Sequence, residues 1–333
     1  MSYTEFKDGY AIESSAAGGT YGTSTIIAAT QTYLWGVVSQ KAVHPSPRTS
    51  VIYRATGALA QEVPATYLWK QQFDLTGMYA VGLQNGIPLW AGMGKSTTAG
   101  AGPYTHTIIA PDDGAQLPSF TIQHERTGTA TDWATQFTGC KVAGLTLVCG
   151  QETPYLIGRM DWLAQKATDP AFVLTNDPIL PPTATANPYI FNGMTRTYNG
   201  ASIDGLVDME LTISPDITPV FAHKWDTGTW TGQWLHSLIE GTRKQYKLTL
   251  QLTPGSDDIW DDSVSQATTS DFVFKWTKSA NDYIQITCTD CPIIYHELQT
   301  PEIGNTLVDV IECEPRSVTI EVKDMIAGGY YGE

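Results

Sequence analysis

The sequence predicts an all-β chain with two short helices, arranged as two tandem antiparallel domains of barrel or sandwich type. Three observations lead there. Apolar and polar residues alternate with a period of two in many short runs. Helical periodicity is confined to two short stretches, and a Pro-rich break near the middle separates halves of similar layout. Strands with one wet face pair into antiparallel sheets, and many short ones parted by Gly, Pro and Asn turns build sandwiches or barrels.

Taken in chain order, FDLTGMYAVGLQNG (73–86) predicts the first helix, with Asp74 as N-cap and Gly86 as the stop. AGMGKST (91–97) reads as a flexible loop tip. FTIQ (120–123) and KVAGLTLVC (141–149) predict strands. NDPILPPTATANP (176–188) carries four Pro that interrupt any sheet, and it sets the boundary. The predicted organisation is an N-terminal arm over 1–30, a first β domain over 31–178 and a second over 179–333. Val142-Ala143-Gly144-Leu145 leads to Thr153-Pro154, as Ile203-Asp204-Gly205-Leu206 leads to Thr218-Pro219, and this echo suggests two copies of one domain. QYKLTLQL puts Tyr246, Leu248, Leu250 and Leu252 on one face. DDIWDDSVSQ predicts the second helix, opened by acidic residues. In FVFKW, YIQITC and RSVTIEVKD the inward sets are Phe272, Phe274 and Trp276; Ile284, Ile286 and Cys288; and Val318, Ile320 and Val322.

Composition narrows the function. The 333 residues include 34 acidic and 19 basic side chains, a net charge of −15. A chain that grips nucleic acid needs Lys or Arg at each phosphate, and one that sits on anionic lipid needs the same. Both are disfavoured. Charged residues make up 16% of the chain against about 25% in an average soluble domain, which suggests large surfaces buried in an assembly. The N-terminal MSYTEFKDGYAIESS has neither the basic nor the apolar region of a signal peptide, so synthesis in a cytoplasm is expected. The longest uncharged stretch, Ser14 to Gln40, is too polar for a membrane span.

The chemical motifs do not complete themselves. Gly94-Lys95-Ser96 imitates the end of a phosphate-binding loop, but the Gly that should stand five residues before Gly94 is Leu89. The following TAGAGPYT cannot start the required helix. Cys288-Thr289-Asp290-Cys291 has metal-site spacing without a second ligand pair, and residues three apart on a strand face opposite ways. The five Cys read as core fillers. His106 and His124 read as hydrogen-bonded wall residues, and Asp257, Asp258, Asp261 and Asp262 as a solvated helix start. No catalytic, cofactor or metal residue is assigned, and no enzyme activity is expected. Two rivals stay open. One is a monomeric carbohydrate-binding module using Trp225, Trp230 and Trp234; the other is a hydrolase with an unrecognised carboxylate pair.

One series of landmarks is more specific. Glu13 precedes Thr20-Tyr21-Gly22-Thr23, followed by Tyr33-Leu34-Trp35-Gly36, Pro103-Tyr104-Thr105-His106-Thr107, Leu117-Pro118-Ser119-Phe120-Thr121-Ile122 and Gly139-Cys140-Lys141-Val142. This order resembles the tail tube proteins (major tail proteins) of long-tailed phages and related archaeal viruses, of the type with two fused domains. The resemblance implies a virion structural protein made in the host cytoplasm, without catalysis or cofactor. It implies trimeric rings of pseudo-sixfold symmetry that stack into a hollow tube, through which viral DNA passes without specific binding. The partners it implies are further copies of the chain and the tape-measure, tail terminator and baseplate proteins, with no membrane. A hairpin or loop reaching the next ring would be Ala42 to Pro64 by position. The contact residues implied are His44, Pro45, Arg48, Tyr53 and Arg54, with Trp225 and Trp230 from the second half. GMGKST would be an insertion on the tube exterior. An acidic lumen wall would repel the duplex and keep friction low.

Overall fold

The computed structural model describes the backbone of residues 3–13, 33–34, 37–43, 49–53, 61–65, 70–71, 73–80, 86–111, 117–128, 133–168, 189–226, 229–253, 257–265, 270–297 and 308–325. Strands β1 (Tyr3–Glu13), β2 (Tyr33–Leu34), β3 (Val37–Val43), β4 (Thr49–Tyr53), β5 (Gln61–Ala65), β6 (Lys70–Gln71) and β7 (Phe73–Ala80) lead to helix α1 (Ile87–Met93). After it come β8 (Lys95–Ala99), β9 (Tyr104–Ile109), β10 (Ser119–Gly128), β11 (Trp133–Gly150), β12 (Ile157–Ala164) and β13 (Lys166–Thr168). Past a 3-10 turn at Phe191–Gly193 run β14 (Met194–Tyr198), β15 (Ala201–Ser202), β16 (Leu206–Asp226) and β17 (Thr229–Leu252). Helix α2 (Asp257–Ser265) precedes β18 (Ser270–Ser279), β19 (Asp282–Cys291), β20 (Ile293–Glu297), β21 (Asp309–Cys313) and β22 (Ser317–Asp324).

Among the described residues the chain is all-β with two short helices, as expected. A 13-stranded sheet follows the path β2-β1-β10-β11-β16-β17-β21-β20, with β12, β7, β3, β13 and β6 branching from it. A seven-stranded sheet runs β15-β14-β18-β19-β22-β9-β8, and β4 pairs β5 in a two-stranded sheet. Neither large sheet closes on itself among the described residues, which suits a sandwich more than a closed barrel. Both large sheets contain strands from either side of residue 178. β11 pairs β16, with Leu145 opposite Ile213, and β22 pairs β9, with Ile320 opposite Ile108. The Pro-rich stretch itself lies outside the described residues. One order of elements occurs twice. A strand, an excursion, its antiparallel partner, a helix and a two-stranded hairpin run from β3 to β9 and again from β16 to β19.

The alternating runs bury the residues their period picks out. Val318, Ile320 and Val322 of β22, Phe272, Phe274 and Trp276 of β18, and Leu248 and Leu250 of β17 are all enclosed. The first predicted helix, however, is displaced. Phe73–Ala80 is strand β7, held between β3 and β12, with Leu75 opposite both Ala42 and Trp162. Pairing on both sides satisfies its backbone groups, and that tertiary pairing outweighs local helix propensity. The helix starts only after Gly86, with Pro88 in its first turn where a missing N–H costs nothing. Nor is GMGKST a loop tip. Gly94 ends α1 at φ +104, its N–H donating to Trp90 O at 2.7 Å, and Lys95–Ala99 is strand β8. The Gly-Lys-Ser motif thus lies at a helix C-terminus, where backbone carbonyls point outward and a phosphate would be repelled.

Candidate functional site

The described residues hold no concentrated chemical centre. No group of three or more His, Cys, Asp and Glu among them is placed to hold a metal ion. The five cysteines are buried and none is in a disulfide. Cys288 and Cys291 do not face opposite ways as strand geometry predicts. Asp290 takes φ +52 and the β18–β19 register shifts there, so both thiols turn inward. Four described carboxylates accept hydrogen bonds from phenols. The Tyr189 hydroxyl donates to Asp282 at 2.5 Å, the Tyr295 hydroxyl to Glu297 at 2.6 Å, and Tyr283 to Glu321. Asp262, in the acidic start of α2, likewise accepts from Tyr198, so it ties the helix to β14 instead of standing in solvent. Burial, and secondarily the charge of Glu152, raises the Asp208 carboxyl above its ordinary value. Neither described helix is long and apolar enough to cross a membrane.

What the structure offers instead is long paired strands. β16 and β17 have 21 and 24 residues and pair from Leu206 opposite Leu252 to Asp226 opposite Thr229. Their inner ends belong to the large sheet, flanked by β11 and β21. Beyond Pro215 they pair with each other, joined on the β17 side by β6, whose Lys70 and Gln71 run parallel to Gln233 and Trp234. Trp225 and Trp230 are register partners beside the hairpin tip, and Trp234 lies opposite Ala222. Of the other predicted contact residues, Tyr53 sits in β4 opposite Gln61. His44, Pro45, Arg48 and Arg54 lie outside the described residues. The Ala42–Pro64 segment contains the two-stranded sheet of β4 and β5, which pairs with neither large sheet among the described residues. The length of the β16–β17 hairpin is not legible in the sequence. Pro215 and Pro219 break the alternation that marks its inner part, so its outer arms carry no periodic signal.

The recurring sequence landmarks turn out to be joints of the fold. His106, fully buried, lies 2.7 Å from Thr98 Oγ1 through Nδ1 and 3.1 Å from Asp324 Oδ1 through Nε2. It joins β8, β9 and β22 and is the predicted wall residue. His124 is buried with its ring edge-on to Phe137 at 5.1 Å. Phe120, in the Leu117–Ile122 landmark, takes edge contacts from Trp90 of α1 at 5.6 Å and Trp162 of β12 at 5.5 Å. Gly139 has φ +66 where β11 leaves β10 and β13 to pair with β12 and β16. Only Gly takes that conformation without strain. These residues explain a shared architecture and not a shared reaction.

Comparison with known proteins agrees with that architecture. No curated protein matches the chain significantly. The model of one family, described as phage tail tube protein, matches residues 10–323. That span includes both repeats of the element order, both helices and the long hairpin, and so the chain belongs to the phage tail tube protein family, a structural component of the virion tail.

Proposed function

We propose that copies of this chain form trimeric rings of pseudo-sixfold symmetry, which stack into a hollow tube that viral DNA traverses during ejection. The family match over 10–323 carries this reading. In it, residues 31–178 and 179–333 are two tail-tube-like domains behind an arm over 1–30, and each supplies one sixth of a ring. Tube growth is a head-to-tail contact repeated without closure along one axis. Exposed sheet edges find partners in neighbouring copies. The −15 charge leaves few cations to hold phosphates, which suits a wall past which a duplex slides. The contact with the next ring is assigned to Ala42–Pro64, with His44, Pro45, Arg48, Tyr53 and Arg54, and to Trp225 and Trp230 at the second hairpin. Tape-measure, tail terminator and baseplate proteins would cap and measure the tube, and assembly would occur in the host cytoplasm.

Negative-stain electron microscopy of the concentrated chain, beside a sizing column, tests the reading. Rings or tubes with an open lumen are expected. Replacing residues 44–60 with a short Gly-Ser turn should leave the chain folded and its tubes absent. A wild-type chain that stays a small monomer at all concentrations and binds glycans would overturn the reading.

A further inference from the structure

Where β16 and β17 leave the large sheet, the surface holds a cleft of about 970 Å³. Thr212 and Ser214 of β16, Lys244 and Lys247 of β17, and Pro292 and Arg316 line it, with Glu314 as the carboxylate on its wall. Three of the chain's 19 basic residues therefore meet in one place on a molecule of net charge −15. Their roles differ. The Lys244 ammonium donates to the carbonyls of Gly92, at 2.9 Å, and Met93, so it caps the end of α1 from across the fold. Lys247 is 48% exposed, and its 2.8 Å contact with Glu312 is of the solvent-exposed kind that exchanges partners readily. Arg316 is exposed, its backbone N–H held by the carbonyls of Thr289 and Asp290. Beyond Pro292 the chain continues as β20, the last strand of the sheet path, where Ile294 and Tyr295 are 51% and 46% exposed.

We propose that this cleft is a subunit contact, and that its occupant is a carboxylate-bearing segment of a second copy of this chain. The proposal rests on the tube reading above. Copies carrying −15 each repel one another as they close, so a contact surface must gather cations. Lys247 and Arg316 do so at the root of the hairpin. The apolar flank of β20 favours a protein partner, because a phosphate backbone gains nothing from Ile294 or Tyr295 and a protein surface buries both. Lys247 and Arg316 contact the partner's carboxylates, while Lys244 stays on α1 and fixes the cleft wall.

Carbodiimide coupling joins an amine to a carboxylate already in contact with it, the carbodiimide taking up the elements of water to leave as its urea. The chain is prepared in ¹⁴N and ¹⁵N forms, mixed before concentration, coupled and digested. Peptide pairs of mixed label that contain Lys247 are expected, beside the same-label Lys247–Glu312 pair that serves as internal control. A K247E/R316E variant should fold with an unchanged circular dichroism spectrum and lose at least tenfold in tube yield. Only same-label Lys247 pairs, or a variant that assembles normally, would overturn the proposal, whatever the micrographs show. A variant that assembles normally but retains less duplex DNA on a gel would assign the cleft to nucleic acid instead. Micrographs of the wild-type chain judge the tube separately, so failure of the cleft is distinguishable from failure of the tube.

Discussion

Cys140, Cys149, Cys288, Cys291 and Cys313 are buried thiols outside any disulfide, and burial governs the acidity of the last four. It lifts Cys149 from 9.0 to about 11 and Cys291 from 9.0 to about 12, and holds Cys288 and Cys313 above the ordinary value as well. A thiol becomes charged on losing its proton, so a folded value above the unfolded one favours the fold while both states are protonated. That contribution is whole below about pH 9 and is lost as pH rises toward 11 and 12. Each such group removes about 1.4 kcal/mol per pH unit in that window. Urea unfolding between pH 8 and pH 11 should therefore show stability falling steeply above pH 9, with a shallower slope in Cys291→Ala. An unchanged slope would mean that Cys291 is not buried in the native chain. Alternation alone shows Cys288 as an inward residue. That Cys291 joins it depends on one left-handed residue, Asp290, and nothing in the letters Thr-Asp announces that turn.

Helix α1 has seven residues and is buried through Leu89, Trp90, Ala91 and Met93, so its position depends on how its end is closed. Gly94 closes it at φ +104, and a Cβ there would stand 2.8 Å from Leu117 Cδ2 and 3.1 Å from Pro111 Cδ. Gly94→Ala should cost about 2 kcal/mol in urea unfolding from backbone strain and crowding together. Lys95→Ala should cost less than half of that. A larger loss at Lys95 than at Gly94 would show that the helix end rests on the Lys95 side chain more than on the Gly94 turn. Strands with a clean apolar face, such as β18, β19 and β22, were legible in the sequence because their inner residues meet one continuous core. β7 was not. It lies between two partners, and Gly77 and Met78 interrupt its alternation, so its letters fit a helix as well as a strand until β3 and β12 are known. The cleft was illegible for a different reason: Lys244 and Arg316 are far apart in sequence and meet only because β17 and the β21–β22 turn are brought together.

The molecule as a whole turns on how its two repeats share their sheets. β11 gives one edge to β12 and the other to β16, and β9 is covered by β22 on the side away from β8. The buried His106–Asp324 contact crosses the same seam, as does Lys244 on the carbonyls of α1. Cutting the chain at residue 178 would expose the edge of β11 over Leu145–Gly150 and the edge of β9 over Tyr104–Ile108. Open edges of this kind pair with whatever strand is available. It would also separate Asp324 from His106, its buried partner across the seam. A 1–178 fragment expressed alone should aggregate or melt without a cooperative transition. Co-expression with 179–333 should restore a soluble complex that melts as the intact chain does. A 1–178 fragment that stays monomeric and melts cooperatively at the intact chain's temperature would show instead that the seam is dispensable. In the proposed ring of three chains, sheet continuity across residue 178 would hold three of the six sheet-to-sheet joins within single chains. On that proposal the contacts left between copies carry the specificity of ring closure, the part assigned to the cations of the β16–β17 cleft.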